Sequence, residues 1–267
     1  MDKPIRVIVA GAGGRMGKEV VKLVLGDEEL ELAAAVGRSD AGRDAGEMVG
    51  MGTSGVLVTA ELQEALAAGQ ADVLVDFTNP EFAYEHANLA IAAGVRPVMG
   101  TTGYTPEQIE ELNTKCEQAG IGGLIAPNFS IGAILLMRFS ALAAKHFPHL
   151  EIIEYHGDQK LDAPSGTAVK TAEMISEVRE SMKQGNPKEK ETIPGSRGGE
   201  YDGFRIHSVR LPGVFAQQEV IFGSFGQSLK IRHDSYERAG YMPGVKIGVQ
   251  KVMEYTGMVY GFEQFVD

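Results

Sequence analysis

The sequence predicts an α/β protein with a parallel-sheet domain first and a second, α+β domain built on a mixed or antiparallel sheet. Two observations carry this expectation. Through residue 126, short apolar runs alternate with longer stretches of helical periodicity, the pattern of right-handed βαβ units around a parallel sheet. After about residue 128 that rhythm stops, and three alternating or β-branched segments follow one another with only turn residues between them.

Taken in order, strands are expected near 5–10, 30–36, 56–58, 72–77, 95–99 and 122–126, with helices near 14–25, 60–68, 80–93 and 105–119. Asn79 ahead of Pro80 marks a helix start with proline at the first helical position, and Thr105-Pro106-Glu107-Gln108 reads as a capping box. The glycine-rich stretch 37–55 is weakly patterned and is assigned as loop with room for a short helix. Further on come a helix near 131–146, a strand near 150–156, a helix near 166–183 and a polar loop at 184–203. Segments 204–211, 217–223 and 228–234 are separated by Pro212-Gly213 and Gly226-Gln227, which suggests antiparallel pairing. A last helix near 238–256 returns to the first domain. The expected domains are therefore 1–127 with 240–267, and 128–239.

Composition narrows the function. A chain of 267 residues, 43% hydrophobic, can bury a substantial core, and its 34 glycines and 11 prolines form no repeat. The apolar run Ile5 to Ala10 is too short to span a membrane and lacks a signal-peptide cleavage pattern, so a cytoplasmic protein is expected. Cys116 is the only cysteine; it can form no intrachain disulfide and no cysteine-type metal site, and packing is its expected role. A net charge of −11 disfavours nucleic acid and anionic membranes as partners. Any anionic ligand must find its positive groups locally.

The first motif is Gly11-Ala12-Gly13-Gly14-Arg15-Met16-Gly17, between a strand and a helix. A dinucleotide's pyrophosphate needs close backbone approach, free amides and the positive end of a helix, and glycines make the room. Met16 breaks the usual G-x-G-x-x-G spacing, so the run is better described by Gly11, Gly14 and Gly17; a tight turn without a ligand is the alternative. About 20 residues on, where a carboxylate would accept the ribose hydroxyls, stands Val36-Gly37-Arg38. A guanidinium there favours a 2′-phosphate, and so NADPH over NADH, with an exposed solubilising arginine as the alternative. The strand ends Asp76-Phe77-Thr78-Asn79, Gly100-Thr101-Thr102-Gly103 and Ala126-Pro127-Asn128-Phe129-Ser130 lie where an open parallel sheet binds its ligands.

The densest constellation runs from Glu154 to Thr167. His156 can donate a proton near neutral pH, and Lys160 offers a positive charge or a proton. Ser165, Gly166 and Thr167 would present hydroxyls and amide donors at a helix start suited to a carboxylate. Alone, Ser165 reads equally as an N-cap and His156 as a structural histidine.

Together, Gly11 to Gly17, Asp76-Phe77-Thr78, Gly100-Thr101-Thr102-Gly103, Asn128-Phe129-Ser130 and especially Lys160-Leu161-Asp162-Ala163-Pro164-Ser165-Gly166-Thr167 resemble the dihydrodipicolinate reductase family over nearly the whole chain. The resemblance implies a Rossmann-type cofactor domain, a second domain on a mixed sheet, and a homotetramer assembled through those sheets. It implies reduction of a cyclic imine dicarboxylate with NADPH or NADH in diaminopimelate and lysine biosynthesis. By motif position His156 matches the proton donor and Lys160 the second catalytic residue, with Gly166 and Thr167 contacting substrate carboxylate. Gly11, Ala12, Gly13, Gly14, Arg15, Met16, Arg38, Gly100, Thr101, Thr102, Ala126, Pro127, Asn128 and Phe129 match cofactor contacts, beside the strand-end Phe77 and Thr78. One departure is plain. The family motif carries two adjacent histidines, and Gly157 stands at the second, so one substrate contact is missing. Two rivals stay open on residues alone: another reductase of amino or keto acids, and a non-enzymatic NAD(P) sensor. A sensor has no need of a proton donor beside an anion cradle.

Overall fold

The computed structural model describes residues 3–266, which divide by their internal contacts into two units, 3–130 with 241–266, and 131–240. In the first unit the strands are β1 (Ile5–Ala10), β2 (Leu30–Val36), β3 (Val58–Thr59), β4 (Val73–Asp76), β5 (Arg96–Met99), β6 (Gly122–Ile125) and, from the end of the chain, β12 (Gly257–Tyr260). They form one seven-stranded sheet in the order β12-β6-β5-β4-β1-β2-β3, parallel throughout. Helices α1 (Arg15–Gly26), α2 (Ala45–Val49), α3 (Leu62–Ala67), α4 (Pro80–Ala92), α5 (Pro106–Ala119) and α8 (Met242–Lys251) complete the unit.

The strands are buried on both sides, which is why they read as unbroken apolar runs. Ile8 and Ala10 of β1 and Leu74 of β4 join Leu62, Leu66 and Ala90 on one side, and Met99 and Ile125 continue that layer with Ala87, Leu112 and Cys116. Cys116 is indeed packing: burial pushes its thiol up to about 11. The opposite layer lies under α1 and α8, where Gly248 lets the helix approach Leu124 and Val98. Strand order reverses between β1 and β4, since β1 leads to β2 and β3 on one side while β4, β5 and β6 run the other way. A cleft at the carboxyl ends of β1 and β4 follows from that reversal.

The capping box at Thr105 forms as expected, with Gln108 N donating to Thr105 Oγ1 at 3.3 Å and Thr105 N to Gln108 Oε1 at 3.0 Å. Asn79 does stand at the start of α4, yet its side chain makes no capping bond. The weakly patterned 37–55 stretch is organised by one carboxylate. Asp44 accepts the backbone amides of Gly46, Glu47, Ser54 and Gly55 at 2.8–3.1 Å, bonds that hold it at about 2 against the opposing pull of desolvation. The last helix is shorter than expected. A 3-10 turn, Arg238–Tyr241, precedes α8, which ends at Lys251, and beyond the expected end of the helix the chain forms β12, a four-residue strand that the sequence did not mark.

The second unit holds α6 (Ile131–Ala144), β7 (His149–His156), α7 (Gly166–Ser176), β8 (Gly199–Tyr201), β9 (Phe204–Arg210), β10 (Ala216–Ser224) and β11 (Gln227–Ser235). Its mixed sheet has the order β11-β10-β7-β9-β8. β10 and β11 form the expected antiparallel hairpin, but β9 and β10 are not neighbours: β7 lies between them, antiparallel to β10 and parallel to β9. β7 takes the centre because Leu150, Ile152 and Glu154 are all sunk into the face covered by α6 and α7. α7 stops at Ser176, not near 183, for a related reason. The wholly buried Arg179 donates to the carbonyls of Pro148, Met182 and Asp202 at 2.6, 2.9 and 2.9 Å, over the ring of Phe204. A continued helix could not bring the Met182 carbonyl back to that guanidinium.

Candidate active site

Each unit carries its own set of groups. In the first, Gly11 leaves β1 at φ 76°, and a Cβ there would lie 2.8 Å from the carbonyl oxygen of Phe77. A side chain at Gly17 would collide with the Gly11 carbonyl, so this glycine sets the close approach of α1 to the strand. Ala12 N is spent on Val36 O at 2.9 Å and Gly14 N on Gly11 O at 2.8 Å. Gly14 starts α1 without a side-chain cap, so the first-turn amides beginning at Arg15 and Met16 have no carbonyl within the helix to bond. The arrangement suits a pyrophosphate: small residues where a side chain would obstruct, and the positive end of a twelve-residue helix behind them.

Around this turn opens a cleft of about 490 Å³ lined by Gly11, Gly13, Gly14, Arg38, Phe77 and Thr78, all expected from sequence, and also by Gly37, Ser39, Asn79, Phe82, Glu85 and His86. Gly100 and Phe129 stand behind this wall: Gly100 leaves no room for a Cβ beside the Phe77 ring, and Phe129 packs on that ring at 5.7 Å between centroids. Thr101 is buried and donates to Asp76, while Ala126 N bonds Met99 O at 2.9 Å. Asn128 Oδ1 accepts Ser130 N at 2.8 Å. Gly100 to Thr102 and Ala126 to Phe129 therefore follow the ends of β5 and β6, beside the lined cleft and not on it. Phe82 and His86 were missed by sequence reasoning. They lie four apart on one face of α4, and only the strand order shows that this face meets the cleft.

In the second unit Glu154 is fully buried in β7, and its carboxylate gathers the other groups. His156 Nδ1 lies 2.5 Å from Glu154 Oε2. A carboxylate only accepts, so Nδ1 carries a proton and Nε2 is left for chemistry. Arg210 reaches the same carboxylate with two bonds of 2.7 and 2.9 Å and donates to the Asp162 carbonyl at 2.8 Å, tying the 157–165 loop to β9. Nothing in the sequence flagged Arg210; its register opposite His156, across a parallel pairing, is what places it. Lys160 follows His156 through a turn closed by its own amide on Gly157 O at 3.1 Å, and its ammonium pairs with Asp162 at 2.7 Å.

Ser165 is the N-cap of α7, its hydroxyl accepting from Ala168 N at 3.3 Å, and its amide donates to Glu154 Oε1 at 3.3 Å. Gly166 faces open space, since a Cβ there would meet no atom within 4 Å. Packing therefore does not require glycine at 166, and the helix start is accessible. The Thr167 carbonyl accepts from Thr171, whose hydroxyl in turn accepts from the buried Gln218 at 2.7 Å. Gly157 has limited room, with a Cβ 3.3 Å from the Val214 carbonyl.

The sequence profile described as "Dihydrodipicolinate reductase, N-terminus" matches residues 5–129, and that described as "Dihydrodipicolinate reductase, C-terminus" matches 132–266. This chain belongs to the dihydrodipicolinate reductase family. It is 53% identical over 266 residues to the 4-hydroxy-tetrahydrodipicolinate reductase of Desulfitobacterium hafniense (strain DSM 10664 / DCB-2), covering 99% of this chain and 100% of that one. To the reductase of the same name from Streptococcus suis (strain 05ZYH33) it is 54% identical, over 98% and 99% of the two chains. Among solved structures, the dipicolinate-bound dihydrodipicolinate reductase from Paenisporosarcina sp. TG-14 superposes with a TM-score of 0.88 at 48% identity, covering 98% and 99%. An amine dehydrogenase from Mycobacterium smegmatis, at 15% identity and TM-score 0.69, shares the fold alone. Membership in the dihydrodipicolinate reductase family excludes the sensor and generic-dehydrogenase alternatives that the residues by themselves left open.

The His156–Glu154–Arg210 cluster makes a prediction about acid stability. Burial by itself would push Glu154 up, but hydrogen bonds from His156, Arg210 and Ser208 and the charge of His156 hold it at about 2. A carboxyl depressed in the fold contributes stability that is complete above its ordinary value near 4.5 and is lost as pH falls through about 2. Glu154→Gln should therefore lower the melting temperature at pH 7 and flatten its decline between pH 4.5 and pH 2. Thermal melts of both proteins across that window check this, and parallel declines would contradict it.

Proposed function

We propose that this chain catalyses the NAD(P)H-dependent reduction of 4-hydroxy-tetrahydrodipicolinate to tetrahydrodipicolinate in diaminopimelate and lysine biosynthesis. Family membership supports the activity, and the observation that carries the residue assignment is the buried Glu154 aligning His156 beside the Lys160 turn and the open start of α7. Reduction of the unsaturated ring needs a hydride and a proton. A bound reduced nicotinamide supplies the hydride; the chain supplies position, charge and the proton.

His156, its Nδ1 fixed by Glu154, delivers the proton from Nε2. Lys160 is the second catalytic residue. Its ammonium is half-exposed and balanced by Asp162, a partner that an incoming carboxylate can replace. The Gly166 and Thr167 amides and the Thr167 hydroxyl at the start of α7 hold a substrate carboxylate, and Ser165, its amide on Glu154 and its hydroxyl capping the helix, fixes that start. These groups provide the local positive field that a net charge of −11 denies to the protein at large. Gly157 removes the second histidine of the family motif, so the helix start and Lys160 carry more of the dianion. No helix among the described residues is long and apolar enough to cross a membrane.

The nucleotide turn at Gly11 to Met16 takes the pyrophosphate, and Phe77, Thr78, Gly100 to Thr102 and Ala126 to Phe129 border the rest of the cofactor. Arg38, standing past the end of β2 where a ribose-binding carboxylate is otherwise expected, favours NADPH while leaving NADH usable; the Asp40 carboxylate beyond it is taken up by Ser39 and Arg43. The 128–239 segment carries substrate binding and oligomerisation, with 1–127 and 240–267 carrying the dinucleotide. The open edge strand β11 and the sheet beside it assemble the chain into a homotetramer.

Light scattering, steady-state kinetics and direct NADPH titration check these assignments. Light scattering at micromolar concentration should give four times the 28.6 kDa chain mass; a fully active monomer would overturn the tetramer. In steady-state kinetics, His156→Ala and Lys160→Ala should each lower kcat by about a hundredfold or more, the usual worth of proton delivery. Thr167→Val should instead raise KM more than it lowers kcat, by the roughly 1.5–3 kcal/mol of a hydrogen bond to a charged acceptor. NADPH affinity should stay near wild type in all three. Near-normal turnover in both alanine variants would remove these residues from the chemistry.

A further inference from the structure

In the nucleotide cleft Arg38 and Asp76 are joined by a column of two side chains, Phe82 and His86, that neither the family motifs nor the sequence singled out. The Arg38 guanidinium lies over the Phe82 ring, 4.5 Å from its centroid. Phe82 is in turn stacked on the His86 ring, with centroids 6.0 Å apart and planes 22° from parallel. His86 Nδ1 bonds the buried Asp76 carboxylate at 2.6 Å, and Asp76 also accepts from the amide and hydroxyl of Thr78 at 2.8 and 2.7 Å. The column therefore has a fixed foot at the end of β4 and a cationic head at the end of β2. All of these residues except the foot line the same cleft as Gly11 and Gly14.

We propose that Phe82 is a specificity-determining residue for the cofactor, its ring holding the Arg38 guanidinium in place as the receptor for an adenosine 2′-phosphate, with His86 on Asp76 as the positioning pair behind it. The inference rests on the reading of this cleft as an NADPH site. Arg38 sits on a 3-10 turn of three residues, so its backbone does little to fix a long side chain rich in rotamers. A face laid on an aromatic ring fixes the guanidinium plane and leaves its edge N–H groups for phosphate oxygens. The ring also opposes a competing arrangement. Glu61 and Glu85 line the cleft, and among the described residues Arg38 makes no ion pair with either; its charge is held against an uncharged ring. A guanidinium already neutralised by a carboxylate would have little left for a phosphate.

NADH lacks the 2′-phosphate and should not depend on the column. The test is calorimetric titration of the whole protein with NADPH, NADH, 2′,5′-ADP and 5′-AMP, for wild type, Phe82→Ala, Phe82→Tyr, Arg38→Ala and the double variant Arg38→Ala with Phe82→Ala. Loss of the cation–π contact should weaken NADPH and 2′,5′-ADP by about two- to thirtyfold in Phe82→Ala, with NADH and 5′-AMP changed by about twofold or less. Phe82→Tyr should restore the difference, because the ring face remains. In the Arg38→Ala background, Phe82→Ala should add nothing to the loss of 2′-phosphate discrimination. Equal weakening of NADPH and NADH by Phe82→Ala, or additive losses in the double variant, would make the ring ordinary packing and overturn the proposal. If Arg38→Ala leaves NADPH and 2′,5′-ADP binding unchanged, the 2′-phosphate reading fails and takes the proposal with it. If Arg38→Ala weakens them and Phe82→Ala does not, the reading survives and the proposal alone is wrong.

Discussion

A carboxylate removed from water must be answered by donors or cations on every side, because the desolvation cost otherwise exceeds what a fold can carry. This protein buries two such groups at the carboxyl ends of central strands, Asp76 on β4 and Glu154 on β7. Among the groups that answer them are His86 and Thr78, which line the nucleotide cleft, and His156. Asp76 draws in Thr78, Thr101 and His86, and so sets the wall of the nucleotide cleft. Glu154 draws in His156, Arg210 and the Ser165 amide, and so joins a histidine, a neighbouring strand and the start of α7. In both cases the need to pair one charge fixes the position of several groups at once.

Pairing also settles the chemistry available. A histidine whose Nδ1 is held by an acceptor-only group has a defined tautomer and a free Nε2. The same carboxylate is kept ionised at neutral pH by its partners, so the acceptor that aims the ring persists there. Arg210 extends this control to the loop through the Asp162 carbonyl, which limits how far Lys160 can wander from His156. Rigid strands thus position a site whose ligand-facing groups sit on a turn and a helix start.

Much of this was legible in the sequence. The alternation of apolar runs and helices gives β1 to β6 and α1, α4 and α5 within a few residues, because a strand buried on both faces and a capped helix each leave a local signature. The glycine turn and the 154–167 run were legible for the same reason, as their chemistry is contiguous in the chain. What escaped depends on register or on distant partners. The insertion of β7 between β9 and β10 is a non-local pairing. Arg210 sits 56 residues from the carboxylate it holds. The early end of α7 traces to Arg179 meeting carbonyls at 148 and 202. β12 is four residues long and finds its partner β6 more than a hundred residues upstream. Phe82 and His86 belong to a helix whose spacing was readable but whose orientation toward the cleft was not.

The most direct test of the account is chemical. Purified protein should be given freshly generated 4-hydroxy-tetrahydrodipicolinate with NADPH, following the loss of nicotinamide absorbance while the reduced dicarboxylate is identified by mass spectrometry. The account predicts oxidation of one NADPH for each tetrahydrodipicolinate formed. Unchanged absorbance and no reduced product, from protein that binds NADPH and is correctly folded, would contradict it.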